Sequence, residues 1–361
     1  MRLCFLVEEH YRHDGMPLDV VRQLTAWGHR VDVLRPGDSL MAISESVRAG
    51  SHDAWVLKTV SGGPGLTLLE AAAAVGLTTV NDVRSIRGVR DKALAAVIAR
   101  TRGLPVPVTY AAARWERLAE IPASEYPLVV KPADGSSGRA VRLVRTPDEL
   151  LALGPLLAGE GLLIAQPYVP NSGTDLKVYC VDGELYATER CSPLHPGQGV
   201  RERQVPLPAE VARIAAQVGE VFGLDLYGVD VLLGPEGPVV VDINDFPSFR
   251  QVPDAVARVA RAVLRLARTG TAVSAPAPAL VHQPVDGLPV DALPVGGLPV
   301  PVPVPVSEAV RLPVQGAAAR GGAVHGAAVH GTAVGGAAVG VGGVLGIGGT
   351  GFVNGAVGGA I

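Results

Sequence analysis

Apolar and polar positions follow two rhythms along the first eighty residues. Residues 3–7, 31–34, 54–57 and 78–80 are short aliphatic and β-branched runs, as buried strands require. Between them, residues 19–27 and 66–75 carry helical spacing. The alternation predicts a parallel sheet covered by helices, a small α/β domain ending near Asp82. No GxGxxG opens a helix here, so there is no dinucleotide fingerprint.

The rhythm then changes. An alanine-rich helix over 93–100 precedes a strand at 106–110 and a helical turn at 115–118. Strands follow at 126–131, 140–144, 162–165, 175–181 and 184–190, with Asp182 and Gly183 as a tight hairpin turn. Val211, Ile214, Ala215, Val218 and Val221 mark a helix, and residues 255–268 a last amphipathic helix with arginines outward.

The stretch 228–249 lies at the centre of the pattern. Val229, Val231 and Leu233 face Val239, Val241 and Ile243 across a turn, while Leu232 and Val240 share the other face with Asp230, Asp242 and Asn244. A three-residue loop, Pro235 to Gly237, sets Asp230 opposite Asp242, with Asn244 next on that face. Two carboxylates this close in an apolar sheet repel unless a cation compensates them. Oxygen ligands of this kind suit Mg²⁺. The same pattern also fits an edge hairpin whose acids face water.

Three further stretches carry candidate chemistry. In 126–141 an apolar strand ends in Lys131, and Gly135, Ser136, Ser137 and Gly138 form a turn whose backbone N–H groups can converge on an anion. It is not a Walker loop, because GxxxxGK[ST] is absent and a strand follows. Arg84, Arg87, Arg90 and Lys92 can cup an anion or simply dress a solvated helix start. Lys58 and the glycine-rich 61–65 follow the third strand, where α/β sheets bind ligands and where plain surface turns also occur. The polar loop 192–204, with His195, Arg201 and Arg203, exceeds a connector in length.

The 361 residues carry a formal net charge of −3, which gives no electrostatic footprint for nucleic acid. Three cysteines without a CxxC pair indicate no disulfide framework and a reducing cytoplasm. From about Gly270 the sequence turns to repeated Leu-Pro-Val, then to glycine, alanine and valine. That composition predicts a disordered low-complexity tail. Residues 333–361 are uncharged and long enough to span a bilayer, but their glycine and alanine content argues against insertion.

Lys92, Lys131 with its glycine loop, Gln166-Pro167-Tyr168-Val169, Asp175-Leu176-Lys177, Asp230 and Asp242-Ile243-Asn244, in this order, resemble the ATP-grasp superfamily and within it the RimK-like ligases. The resemblance implies a pre-ATP-grasp α/β domain at 1–82, two α+β ATP-grasp subdomains at 83–165 and 166–268 that grip ATP between them, and a tail at 269–361 outside the fold. It implies Lys92, Lys131 and the 135–138 loop as phosphate contacts, Gln166 to Val169 as the adenine hinge, and Asp175 as a nucleotide contact. Lys177 and Arg190 would face the γ-phosphate, and Asp230, Asp242 and Asn244 would hold Mg²⁺ or Mn²⁺. Two positions depart from RimK-like ligases, Asp242 and Gln166 standing where glutamate is usual. Both variants, with Asp-Ile-Asn-x-Phe-Pro at 242–247, are similar to inositol polyphosphate 5/6-kinases. The implied activity is an ATP- and metal-dependent carboxylate–amine ligase acting on a small-molecule or peptide substrate. The alternative is a kinase for a phosphorylated polyol, for which Arg84, Arg87, Arg90, His195, Arg201, Arg203 and Arg250 are available. A non-catalytic nucleotide-binding module is disfavoured by the intact lysines and acids.

Overall fold

The computed structural model describes residues 1–273 other than 12, 14, 39, 59–62, 135–139, 193 and 195–201, and the backbone alone of His10. They belong to one compact unit, Met1–Gln283; a second unit, Pro284–Ile361, lies outside the described residues, as does the predicted tail from residue 274. Among the described residues no helix is long and apolar enough to cross a membrane.

The chain opens with β1 (Arg2–Val7), α1 (Gly15–Ala26), β2 (Arg30–Leu34), a single turn α2 (Ile43–Ser46), β3 (Ala54–Lys58), α3 (Pro64–Ala74) and β4 (Thr79–Val80). These strands form a parallel sheet in the order β2-β1-β3-β4, as the alternating pattern predicts. Helices α4 (Val83–Arg90) and α5 (Lys92–Thr101) follow, each started by an aspartate. Asp82 accepts from the Arg84 N–H, and Asp91 accepts from those of Ala93 and Leu94, satisfying amides that the first helical turn leaves open.

Next come β5 (Tyr110–Ala112), β6 (Leu128–Pro132), β7 (Arg142–Val144), α6 (Pro147–Leu157) and β8 (Leu163–Pro167), whose strands form an antiparallel sheet in the order β5-β8-β6-β7. The strand expected over 106–110 begins only at Tyr110. Pro105 and Pro107 have no N–H to place in a ladder. The Pro105 carbonyl instead accepts from the Val240 N–H at 2.7 Å.

The last sheet is five-stranded and antiparallel, β11-β10-β9-β12-β13. It comprises β9 (Thr174–Val181), β10 (Glu184–Cys191), β11 (Arg203–Val205), β12 (Leu226–Gly234) and β13 (Gly237–Asn244), with α7 (Ala209–Phe222) between β11 and β12 and α8 (Ala255–Thr269) after β13. The Asp182-Gly183 turn joins β9 to β10 with φ of 57° and 82°, the left-handed pair that tight hairpins use. The polar loop predicted over 192–204 contains the start of β11, which pairs with β10.

One core ties the first sheet to the last. Phe5, Val7 and Val56 pack with Tyr179 and Val181 of β9, with Phe246 and Phe249, and with Val259, Val263 and Leu266 of α8. Buried Asn81 reinforces this seam. Its Nδ2 donates to the carbonyls of Leu226 and Asp245 at 2.8 and 2.6 Å, and its Oδ1 accepts from the Asp225 and Leu226 N–H groups, each at 2.9 Å.

Candidate active site

The hairpin β12–β13 pairs Asp230 with Asp242, as expected, but by another route. Gly234 pairs with Gly237, so the turn holds two residues, Pro235 and Glu236, and the extra residue is taken up by a bulge at Val241. The bulge exchanges the faces of β13 before the acids are reached. Val240 is buried in the core with Val229, Val231 and Ile243, whereas Val241 and Leu232 line a cavity. The expected grouping of Val241 with the core and Val240 with the acids is therefore reversed. Leu233, expected in the core, is 49% exposed.

That cavity, about 660 Å³, lies between the two antiparallel sheets and the carboxyl edge of the parallel one, within the range of small-molecule sites. β6 supplies Lys131, and the first residue of α5 supplies Lys92. They are brought together by backbone pairing, because the Lys92 N–H donates to the Ala133 carbonyl at 2.9 Å. The Lys92 ammonium meets Asp242 Oδ1 at 2.7 Å, and Lys131 donates to the carbonyl of the bulged Val241 at 3.1 Å. β9 presents Asp175 and Lys177 on one face, as their alternation predicts, and Arg190 of β10 pairs opposite Asp175. Arg190 reaches Asp175 at 2.8 Å and Asp230 at 2.8 Å, while Lys177 lies 2.5 Å from Asp230 Oδ1. Asn244 donates to Asp242 Oδ2 at a long 3.4 Å.

The acids therefore do not confront one another uncompensated, as the sequence alone suggests. Burial raises the Asp242 carboxyl, but the Lys92, Lys131 and Lys177 ammoniums together outweigh it and hold the group at about 2. Burial lowers Lys131 to about 8, with Asp242 pulling the other way and Lys92 adding repulsion. For Arg190, burial opposes the charge, yet Asp230 and Asp175 raise its pKa further. Asp175 is itself raised by burial, against the Arg190 guanidinium.

Gln166, Pro167, Tyr168 and Val169 line the same cavity at the end of β8. Gln166 is anchored by its Nε2 to Thr109 Oγ1 at 2.9 Å, and the Tyr168 N–H donates to the Pro127 carbonyl. Gly135, Ser136, Ser137 and Gly138 lie outside the described residues, as do His195 and Arg201. The basic run before α5 does not converge as a cup. Arg84 pairs with Asp82 and Arg87 with Glu70 on the surface, while Arg90 is buried against Asp245 and faces the cavity with Lys92. Arg203 is likewise outside, on Glu189. Asn81 and Asp245 carry no local sequence signal, because their partners lie more than 140 residues away.

Among the described residues no three His, Cys, Asp or Glu side chains cluster as a metal site. The predicted set is two carboxylates and an amide, and its chemistry fits a hard cation. Asp230 and Asp242 are direct cross-strand partners, and the buried Asp230 Oδ1 accepts no hydrogen bond despite its ion pair with Lys177.

Two antiparallel α+β layers closing on lysines and paired acids, beside an N-terminal parallel sheet, define the ATP-grasp class. Residues 89–264 match the family of the RimK-like ATP-grasp domain. The chain carries this domain and is an ATP-dependent ligase. It is 26% identical over 259 residues to a probable alpha-L-glutamate ligase of Maridesulfovibrio salexigens, covering 64% of this chain and 84% of that one. It is 28% identical over 252 residues to a ribosomal protein bS6–L-glutamate ligase of Salmonella schwarzengrund, covering 62% and 82%. The fold matches a RimK domain ATP-grasp protein of Sphaerobacter thermophilus at a TM-score of 0.58 and 22% identity, over 73% of this chain and all of the other.

Proposed function

We propose that the protein joins a carboxylate to an amine through an acylphosphate, using ATP and Mg²⁺, with an amino acid as the amine. The convergence of Lys92, Lys131, Lys177 and Arg190 on the paired acids Asp230 and Asp242 carries the reading. Phosphoryl transfer asks a protein for positioning and charge neutralisation. The four cations supply the neutralisation, and rigid strands supply the positioning. Lys92 and Lys131 bind the phosphates, and Lys177 and Arg190 face the transferred group. Gln166 to Val169 form the adenine wall, and Asp175 orients Arg190. Asp230, Asp242 and Asn244 would hold the metal, which would supply further neutralisation of phosphate charge. The acceptor carboxylate attacks the γ-phosphorus, ADP leaves, and the amine then displaces phosphate from the acyl carbon. The glutamate ligases among the relatives make glutamate the first amine to try.

The polyol-kinase reading has less support. It needs a dense basic acceptor site, yet Arg84, Arg87 and Arg203 sit on the surface with acidic partners, and Arg90 and Arg250, which do reach the cavity, are paired with Asp245 and Glu202. The deciding experiment incubates the protein with ATP, Mg²⁺, candidate carboxylates and hydroxylamine. A ligase yields ADP and a hydroxamate of the acceptor. ADP accompanied by a stable phosphate ester would refute the proposal.

A further inference from the structure

The cavity wall at the end of β8 is held by a short chain of hydrogen bonds that the transfer chemistry does not use. Cross-strand pairing sets Gln166 opposite Val129 of β6 and Ile164 opposite Lys131, so all four side chains share one face of the sheet. Val129, Lys131 and Gln166 line the cavity. The other face carries Leu128, Val130, Leu163 and Ala165, which belong to a core of their own. Gln166 is only 7% exposed, so what its amide meets is decided inside the protein.

Tyr110, the first residue of β5, pairs with Ala165, and Thr109 precedes it beside Gln166. Gln166 Nε2 lies 2.9 Å from Thr109 Oγ1, which in turn lies 3.2 Å from the carbonyl of Pro107, another residue of the cavity wall. A carbonyl oxygen only accepts, so the single hydroxyl proton of Thr109 is committed to Pro107. Toward Gln166 the hydroxyl can then only accept. This fixes the amide with its nitrogen toward Thr109 and Oε1 on the opposite side. A carboxylate would offer an acceptor whichever way it turned, whereas a carboxamide has one donor end and one acceptor end. The orientation of Gln166 therefore carries information, and Thr109 sets it. A purine is read at its 6-position by such a group: adenine carries an amino donor there, and guanine and hypoxanthine carry a carbonyl acceptor.

We propose that Thr109 is a positioning residue for base selection: by locking the Gln166 amide it holds Oε1 as an acceptor for the exocyclic amine of adenine and turns away purines with a 6-carbonyl. Such a carbonyl against Oε1 would set two acceptors face to face. Rotating the amide would not relieve this, because Oε1 would then meet Thr109 Oγ1, whose proton is already on Pro107. The selection is therefore built from neutral groups, and no charge is buried beside the base. The inference rests on the proposed function, with residues 166–169 as the adenine wall, and the two can fail separately.

The full-length protein, in wild type, Thr109→Val and Thr109→Ser, is titrated calorimetrically with ADP and with IDP in Mg²⁺. Wild type should prefer ADP by about tenfold or more, since a site that pairs a polar group rejects the analogue that leaves it unpaired. Valine keeps the shape of threonine but frees the amide to turn, so ADP should weaken, IDP should tighten, and the preference should fall to about threefold or less. Serine keeps the hydroxyl and should keep the wild-type preference. Two affinities that fall by the same factor in Thr109→Val would mark a merely structural role and overturn the proposal. So would a wild type that binds ADP and IDP equally. Wild type that does not bind ADP would overturn the adenine wall itself, and the proposed function with it. If Thr109→Val does not fold, Gln166→Met provides the test: the preference for ADP should fall as far, and an unchanged preference would overturn the proposal.

Discussion

Replacing Asp242 by asparagine separates the two pictures of the paired acids. If Asp230 and Asp242 merely repelled each other, removing one charge would stabilise the ligand-free protein. The geometry gives the opposite sign, because Lys92 contacts Asp242 at 2.7 Å and Lys177 and Arg190 both contact Asp230. A carboxyl held at about 2 against an ordinary 3.8 is worth roughly 2–3 kcal/mol of folding free energy at neutral pH. The folded-state pKa lies below the unfolded one. The contribution is therefore complete above pH 3.8 and is lost as pH falls through about 2. Asp242→Asn should lower unfolding stability by roughly 2 kcal/mol at pH 7, and the gap should shrink to about half near pH 3. The assay is urea unfolding of both proteins in EDTA, without nucleotide, from pH 7 down to pH 3. A variant as stable as wild type at pH 7, or a gap independent of pH, would refute the ion-pair account. Under the proposed function the same variant should also lose Mg²⁺-dependent ATP turnover, since the residues that would hold the cation would have lost one of their two carboxylates.

Other perturbations test other parts of the site. Phosphate charge should restore the proton that burial removes from Lys131, whose pKa lies at about 8, so ATP binding at pH 8 should take up protons and affinity should fall above that pH. Calorimetry in buffers of different ionisation heat checks this, and zero net uptake between pH 7 and 9 would refute it. Asn81→Ala removes four hydrogen bonds and strands the Asp225 and Leu226 amides, at a cost of about 3–5 kcal/mol by urea unfolding. A loss below 1 kcal/mol would show that water replaces the amide. In Gly228→Ala the new Cβ would lie 2.9 Å from Lys177 Cε and 3.2 Å from Pro247 Cγ. The flexible lysine stem yields first, so turnover should fall about tenfold or more with little change in melting temperature.

The sequence shows those parts of the site whose geometry is local. Period-two alternation is enough to place Asp175 beside Lys177, and a hairpin is enough to set Asp230 opposite Asp242. Even there, the pairing tolerates two turn lengths, and only the bulge at Val241 decides which valine enters the core. Alternation counts residues from the turn and cannot register an extra one beyond it. What the bulge provides is a carbonyl free of the ladder, which Lys131 takes.

The charge balance of the site is not local. Lys92 and Asp242 are 150 residues apart, Arg90 and Asp245 155, and Lys58 and the Phe246 carbonyl 188. Read singly, the lysines suggest empty phosphate contacts and the acids an empty metal site. In the folded chain each acid of the Asp230–Asp242 pair already has a cation, and Lys131 already has a carbonyl. A triphosphate entering with its metal would exchange these partners rather than fill unpaired positions: ammoniums pass from carboxylate to phosphate, and carboxylates from ammonium to metal. Either species alone would leave one set of charges buried without a partner, which is costlier than the exchange. Magnesium and ATP should therefore bind more tightly together than either does separately, and a wild-type protein that binds free ATP in EDTA as tightly as with Mg²⁺ would contradict this account.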